Sequence, residues 1–212
     1  MAFGAGRQIE AHLDLFIRHF PSISDGAVVN RTINVRSNAL KEIIQARFRH
    51  INLDVISSEE HYREQMKEAV RSADIIICAT SSTVPLFPSS WVRTGTHVIL
   101  IGSFTPAMRE VEKELVLRAI SPNVESPCLL VDSRKACLEE AGELIDAKVE
   151  PHQMTEIGEL VGKDVRLKDC GCEGITMFKS VGIGLQDVAM ACAVVDRAQG
   201  VGTEITGYDS IT

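Results

Sequence analysis

The chain has 212 residues, 45% of them hydrophobic and 24% charged, with a formal net charge of −7. That suits one α/β domain with a real core, or one domain plus a short extension. The acidic balance and the lack of a Lys/Arg stripe argue against nucleic-acid binding, and no apolar run approaches the roughly 20 residues that span a bilayer.

Arg7 and Glu10 interrupt the N-terminus and no long apolar stretch follows, so it does not read as a signal peptide, and a cytoplasmic protein is expected. The six cysteines are then expected to be mostly reduced thiols. Cys170 and Cys172 are the one close pair, but no second Cys/His pair has matching spacing. A surface loop is the reading there, and no metal site is assigned.

Ile9, Leu13, Phe16, Ile17 and Phe20 recur at helical spacing over Gln8 to Phe20. Ala27-Val28-Val29 reads as a strand, Leu40, Ile43, Ile44 and Phe48 as a helix, and Leu53 to Ile56 as a second strand. A serine, Ser57 or Ser58, caps a third helix through Tyr62, Met66, Ala69 and Val70. Ile75 to Ala79, Val98 to Ile101 and Cys128 to Val131 are continuous apolar runs, as expected of strands buried on both faces. Helical patterns cover Arg109 to Ala119 and Ala136 to Ile145. After about Pro151 the strands are expected to stop: Met154 to Val161 and Met177 to Gln199 read as helices, with a polar stretch from Gly162 to Gly174 between them and a frayed tail after Gly200. The alternation predicts a doubly wound parallel sheet of the Rossmann type over residues 1–150 and a C-terminal helical extension over 151–212.

Gly4-Ala5-Gly6-Arg7-Gln8-Ile9 stands directly before the first helix. The first glycine permits a tight turn, the second lets backbone approach a pyrophosphate, and the helix N-terminus offers amide hydrogens to the anion. The sixth position of a full fingerprint would be Gly or Ala for close helix–strand packing; here it is Ile9. At the end of the next strand, where NAD-selective domains often place a carboxylate, stand Asn30, Arg31 and Thr32, with Arg36 nearby. Nothing there repels a 2′-phosphate and Arg31 can pair with one, so NADP(H) is expected over NAD(H). Ala79-Thr80-Ser81-Ser82-Thr83 follows a strand and suits either a ligand crevice or a simple turn.

Only Met1, Ala2 and Phe3 precede Gly4. The strand before a Rossmann glycine turn lies mid-sheet and normally runs about 5–6 residues. A shortened one leaves neighbouring backbone groups unpaired, and the expectation is a fragment of a longer protein.

Taken in order, Phe3 to Gln8, Val29 to Thr32, Ala73 to Thr83, Trp91 to His97, Val131 to Arg134, Glu140 to Leu144, Phe178 to Gly182 and Gln186-Asp187 resemble the ornithine cyclodeaminase/mu-crystallin family. The ordered set covers residues 3 to 200, although no single motif is diagnostic. The resemblance implies a Rossmann domain whose C-terminal helices return to a separate N-terminal α/β domain, which mediates homodimerisation and supplies basic residues for a substrate carboxylate. It implies cofactor contacts from Gly4, Gly6, Arg7 and Gln8 at the pyrophosphate, from Asn30, Arg31 and Thr32 at the 2′-phosphate, from Thr80 and Ser81 along the cofactor, and from Ser180, Val181 and Gly182 near the nicotinamide. The plain alternatives are that Val181 is core and that Gly182 eases helix packing.

Family members either cyclise ornithine to proline with loss of ammonia or reduce cyclic imines and related imino acids with NAD(P)H. The cyclodeaminases carry a catalytic aspartate just after a strand; in the matching Gly102-Ser-Phe-Thr-Pro106, Phe104 takes its place. Phenylalanine cannot accept a proton, so an imine reductase or amino acid dehydrogenase is expected. The alternatives are an ornithine cyclodeaminase, an NADP(H)-binding protein without turnover, and an inactive fragment. Glu140 matches a family acidic position and is the candidate proton donor, if burial raises its pKa; a solvated helix carboxylate is the plain alternative.

Overall fold

The computed structural model describes residues 1–120, 128–162, 174–198 and 200–203. Cys170 and Cys172 lie outside them, as do most of the stretch between Gly162 and Gly174 and the tail beyond 203. The chain divides into a unit of Met1–Val181 and a unit of Gly182–Thr212.

The first unit is an α/β sheet domain. Its strands are β1 (Ala2–Phe3), β2 (Asp25–Asn30), β3 (Asn52–Ser57), β4 (Ile75–Cys78), β5 (His97–Leu100), β6 (Leu129–Val131), β7 (Thr155–Glu156) and β8 (Thr176–Lys179). All pair in parallel, in the order β3-β2-β1-β4-β5-β8-β6-β7. The order 3-2-1-4-5 is that of the expected Rossmann sheet.

Helices α1 (Arg7–His19), α2 (Val35–Arg47), α3 (Arg63–Ser72), α4 (Lys113–Arg118), α5 (Arg134–Glu140) and α6 (Gly142–Asp146) cover the two faces. Successive strand residues point to opposite faces, and the core divides accordingly. Ala2, Val28, Leu53, Ile77 and Ile99 pack with Ile9, Leu13 and Ile17 of α1 and Leu40 and Ile44 of α2. Phe3, Val29, Ile56, Ile76, Val98 and Leu129 pack on the other face with Met66 and Val70 of α3, Leu115 of α4, Cys137 of α5 and Leu144 of α6.

Two expectations need correction. The strands do not stop at Pro151: β7 lies at the sheet edge, and β8 inserts between β5 and β6. Met177 and Lys179 are therefore strand residues, and the predicted helix begins only at Gly184. No serine caps α3; its N-cap is Tyr62, and Ser57 Oγ instead accepts from the Glu59 amide. Among the described cysteines, Cys78, Cys137 and Cys192 are free thiols, in line with the expectation, and Cys128 is disulfide-bonded.

β1 has two residues, each paired with both β2 and β4. Beside Met1 a cavity of about 600 Å³ opens between Asp25–Ala27 on one side and Asp74–Ile75 on the other. The Met1 ammonium donates to the Ile75 carbonyl at 3.0 Å, and burial pushes its pKa down to about 6.

In the second unit, α7 (Gly184–Arg197) carries exposed Leu185, Val188, Met190, Val194 and Val195. No helix among the described residues is long and apolar enough to cross a membrane.

Candidate active site

A parallel sheet places all its strand C-termini along one edge. Gly4 after β1, Asn30 at the end of β2, Thr80 after β4, Gly102 after β5, Asp132 after β6 and Ser180 after β8 therefore share that edge. Strand order reverses between β1 and β4, which is where open α/β sheets bind ligands. The backbone comes close there. Gly4 has φ +106°, its amide donates to the Val29 carbonyl at 2.8 Å, and a Cβ on it would stand 2.9 Å from the Ala79 carbonyl oxygen. Only glycine meets both conditions.

Gly6 is the N-cap of α1, and no side chain caps that helix. α2 differs: Asn34 Oδ1 accepts from the amides of Arg36 and Ser37 at 3.0 and 3.1 Å, and Ser37 Oγ accepts from the Asn34 amide. The first bond from α1 back to its cap is Glu10 N to Gly6 O, at 3.1 Å. The first-turn amides of α1 are thus left for an anion, which fits a dinucleotide pyrophosphate. A cavity of about 230 Å³ lies there, lined by Ala5, Gly6, Arg7, Glu10 and Arg36 among others. Arg7 is exposed and paired with Glu10 at 2.9 Å; Gln8 is exposed on the first turn. Ile9, at the fingerprint's sixth position, is fully buried against the sheet.

At the end of β2, Asn30 Nδ2 donates to the Thr32 carbonyl, and Ser57 Oγ donates to the Arg31 carbonyl. Arg31 and Thr32 are exposed. Beyond β1 the edge changes character, because buried charged groups hold it together. Glu110, wholly buried, accepts at Oε1 from the Thr80 amide (2.7 Å) and hydroxyl (2.8 Å), and at Oε2 from the Gly102 amide (2.7 Å). Burial raises its pKa, opposed by those hydrogen bonds and by Lys179. Lys179 Nζ lies 3.0 Å from Glu143 and donates to the Ser103 carbonyl at 2.5 Å. Asp132 Oδ2 accepts from Ser180 Oγ (2.7 Å) and the Val181 amide (3.0 Å). Gly182 opens the second unit at φ +92°.

The expected cofactor residues of the first unit stand at or beside strand ends, with differing roles in the local structure, whereas Glu140 does not. Thr80 turns its hydroxyl toward Glu110, and Ser81 is exposed. Glu140 is half-buried at the end of α5, whereas Glu143, three residues on, is the carboxylate wholly buried beside Lys179. Phe104, half exposed, follows the strand where an aspartate would stand. Sequence reasoning did not single out Glu110, Asp132, Glu143 or Lys179, although the last three lie inside motifs it used. The buried thiols are poor nucleophiles: burial, then Asp132, pushes Cys137 up to about 12, and burial, then Glu110, raises Cys78 well above its ordinary value. Among the described residues no cluster of three or more His, Cys, Asp or Glu could hold a metal.

Residues 1–202 match the model of the ornithine cyclodeaminase/mu-crystallin family. The chain belongs to that family. It is 34% identical over 193 residues to the ketimine reductase mu-crystallin of Rattus norvegicus, covering 91% of this chain and 53% of that protein. It is 35% identical over 144 residues to a Δ1-pyrroline-2-carboxylate reductase of Bacillus cereus, covering 65% of this chain and 42% of the other. Among solved structures it is similar to the Thermococcus litoralis Δ1-pyrroline-2-carboxylate reductase in complex with NADH and L-proline, with TM-score 0.73 and 26% identity, covering 96% of this chain and 59% of that one. An archaeal alanine dehydrogenase dimer with bound NAD gives TM-score 0.74 at 26% identity, covering 98% and 60%. The chain spans about half the length of the curated mu-crystallins it matches.

Proposed function

We propose that this chain is the nucleotide-binding part of an NAD(P)-dependent oxidoreductase that reduces a cyclic imine, or a related imino acid, carrying a carboxylate. The observation that carries this reading is the open, uncapped N-terminus of α1 behind a glycine that tolerates no side chain, at the point where strand order reverses. The pyrophosphate sits against the first-turn amides of α1, with Gly4, Gly6, Arg7 and Gln8 around it. Asn30, Arg31 and Thr32 take the adenosine ribose and its 2′-phosphate. Thr80 and Ser81 border the cofactor, and Ser180, Val181 and Gly182 serve its nicotinamide end. The bound nicotinamide supplies a hydride; Glu140 is the group assigned to proton delivery.

The relatives named ketimine reductase and pyrroline-2-carboxylate reductase support the substrate class. Phe104 supports reduction over ornithine deamination, because its ring neither accepts a proton nor holds an ammonium. The similar solved structures carry NADH or NAD; the preference for NADP(H) rests on Arg31 and on the lack of a carboxylate at the end of β2. A cytoplasmic homodimer of the full-length protein is the assembly this reading implies. The test is NADPH oxidation with Δ1-pyrroline-2-carboxylate and related cyclic ketimines, with ornithine and NAD as the contrast. Ammonia release from ornithine without imine reduction would overturn the assignment.

A further inference from the structure

Along the C-terminal edge of the sheet, the ends of β1 and β2 differ from those of β4 and β5. Gly4 is held by a backbone hydrogen bond, Asn30 Nδ2 donates to the Thr32 carbonyl and the buried Ser57 hydroxyl donates to the Arg31 carbonyl, so neutral groups make these contacts. Thr80 and Gly102 are both held by Glu110, which lies 30 residues beyond the first and 8 beyond the second. One Glu110 oxygen takes both donors of Thr80 and the other takes the Gly102 amide, so the carboxylate accepts three hydrogen bonds with no exposure to solvent. The fit is tight. A Cβ on Gly102 would overlap the Thr80 carbonyl oxygen and amide nitrogen and come within 2.6 Å of Glu110 Oε1. The main chain beside Glu110 is also engaged: Leu86 N donates to the Glu110 carbonyl and Arg109 N to the Ser82 carbonyl, both at 2.9 Å.

We propose that Glu110 is a positioning residue: its buried carboxylate locks the turn after β4 to the turn after β5, and so sets the wall of the crevice that receives the nicotinamide half of the cofactor. This rests on the cofactor reading above. In a Rossmann sheet the two mononucleotide halves divide at the switch point, so the adenosine half lies toward β2 and the other half toward β4 and β5. Thr80 and Gly102 belong to the second half, and Glu110 touches neither nucleotide itself. An ionised carboxylate suits this role because both oxygens act only as acceptors. In Glu110→Gln one oxygen becomes an NH2, whose hydrogens would face a backbone N–H whichever way the amide turns.

The test compares wild type with Glu110→Gln by titration with NADPH and with 2′,5′-ADP, which carries only the adenosine half. The expected result is NADPH binding weakened about tenfold, with 2′,5′-ADP binding unchanged. Equal loss for both ligands would mean a merely structural role, and no loss for either would mean no clamp; each overturns the proposal. Amide hydrogen exchange tests the clamp without any ligand. The variant should lose protection at residues 79–83 and 101–104 and keep it at 26–30. Protection unchanged, or lost throughout, overturns the proposal even if wild type binds no nucleotide, a result that would instead defeat the cofactor reading. Should Glu110→Gln not fold, Thr80→Val removes one donor and should give the same pattern at smaller amplitude.

Discussion

Lys179→Met is the substitution whose cost can be worked most directly from the structure. Lys179 and Glu143 have no exposed side-chain surface and lie 3.0 Å apart. Neither Glu143 oxygen accepts a hydrogen bond, so the contact with Lys179 is a charge pair off the hydrogen-bond line, and Glu143 depends on it. At an effective dielectric of about 20, two charges at that separation attract by about 5 kcal/mol. Desolvation of the ammonium offsets part of this, and breaking a buried pair from one side typically costs about 3–5 kcal/mol. The Ser103 carbonyl also loses its donor. Lys179→Met should therefore lose about 3–5 kcal/mol in urea unfolding followed by the fluorescence of Trp91, the one tryptophan, which is buried in the core. The double substitution Lys179→Met with Glu143→Leu removes the stranded charge and should recover at least about 2 kcal/mol of that loss. A single loss below about 1 kcal/mol, or a double variant less stable than the single, would mean that Glu143 does not depend on Lys179.

Two further outcomes are expected. Arg31→Ser should weaken NADPH binding about tenfold or more while leaving NADH within about twofold, because only NADPH has a 2′-phosphate for the guanidinium to meet; equal changes for both, measured by fluorescence titration, would remove Arg31 from the 2′-phosphate site. His97 is held largely out of water, with Nδ1 2.7 Å from Thr176 Oγ1, and burial lowers its pKa. The folded state thus prefers the neutral ring, so its contribution is fully present above the unfolded value of about 6.5 and is lost as pH falls through the lowered folded value. Wild type should lose stability relative to His97→Gln as pH falls from 8 to 5; parallel curves would contradict this.

Five strands were legible in the sequence: β2 and β3, and the three whose burial on both faces leaves an apolar run, within Ile75–Cys78, His97–Leu100 and Leu129–Val131. β8 was not legible. It is four residues long, ends on a lysine and lies close before the apolar periodicity of α7, so its pattern merged with a helix. β7, two residues long, has too little pattern to detect. The glycine turn was legible because its requirements are local: a positive φ at Gly4, then a helix start at Gly6. The buried charges were not, because their roles are set by distant parts of the chain. Glu110 meets Thr80 across 30 residues, Ser180 meets Asp132 across 48, and Lys179 reaches Ser103 across 76. A lone Glu or Lys in sequence reads as solvent-facing; only the folded sheet brings its partners to it. Glu140 was singled out because it matches a family acidic position; that Glu143, in the same short motif, is the buried carboxylate shows only in the fold.

In the proposed reading, the strand-end crevice binds a dinucleotide and reads its 2′-phosphate. Titrating the purified chain with NADPH, with NADH alongside, and following the cofactor fluorescence tests it most directly. Saturable binding that is tighter for NADPH is the predicted result. Tighter binding of NADH would contradict the role given to Arg31, and no binding of either would contradict the site itself.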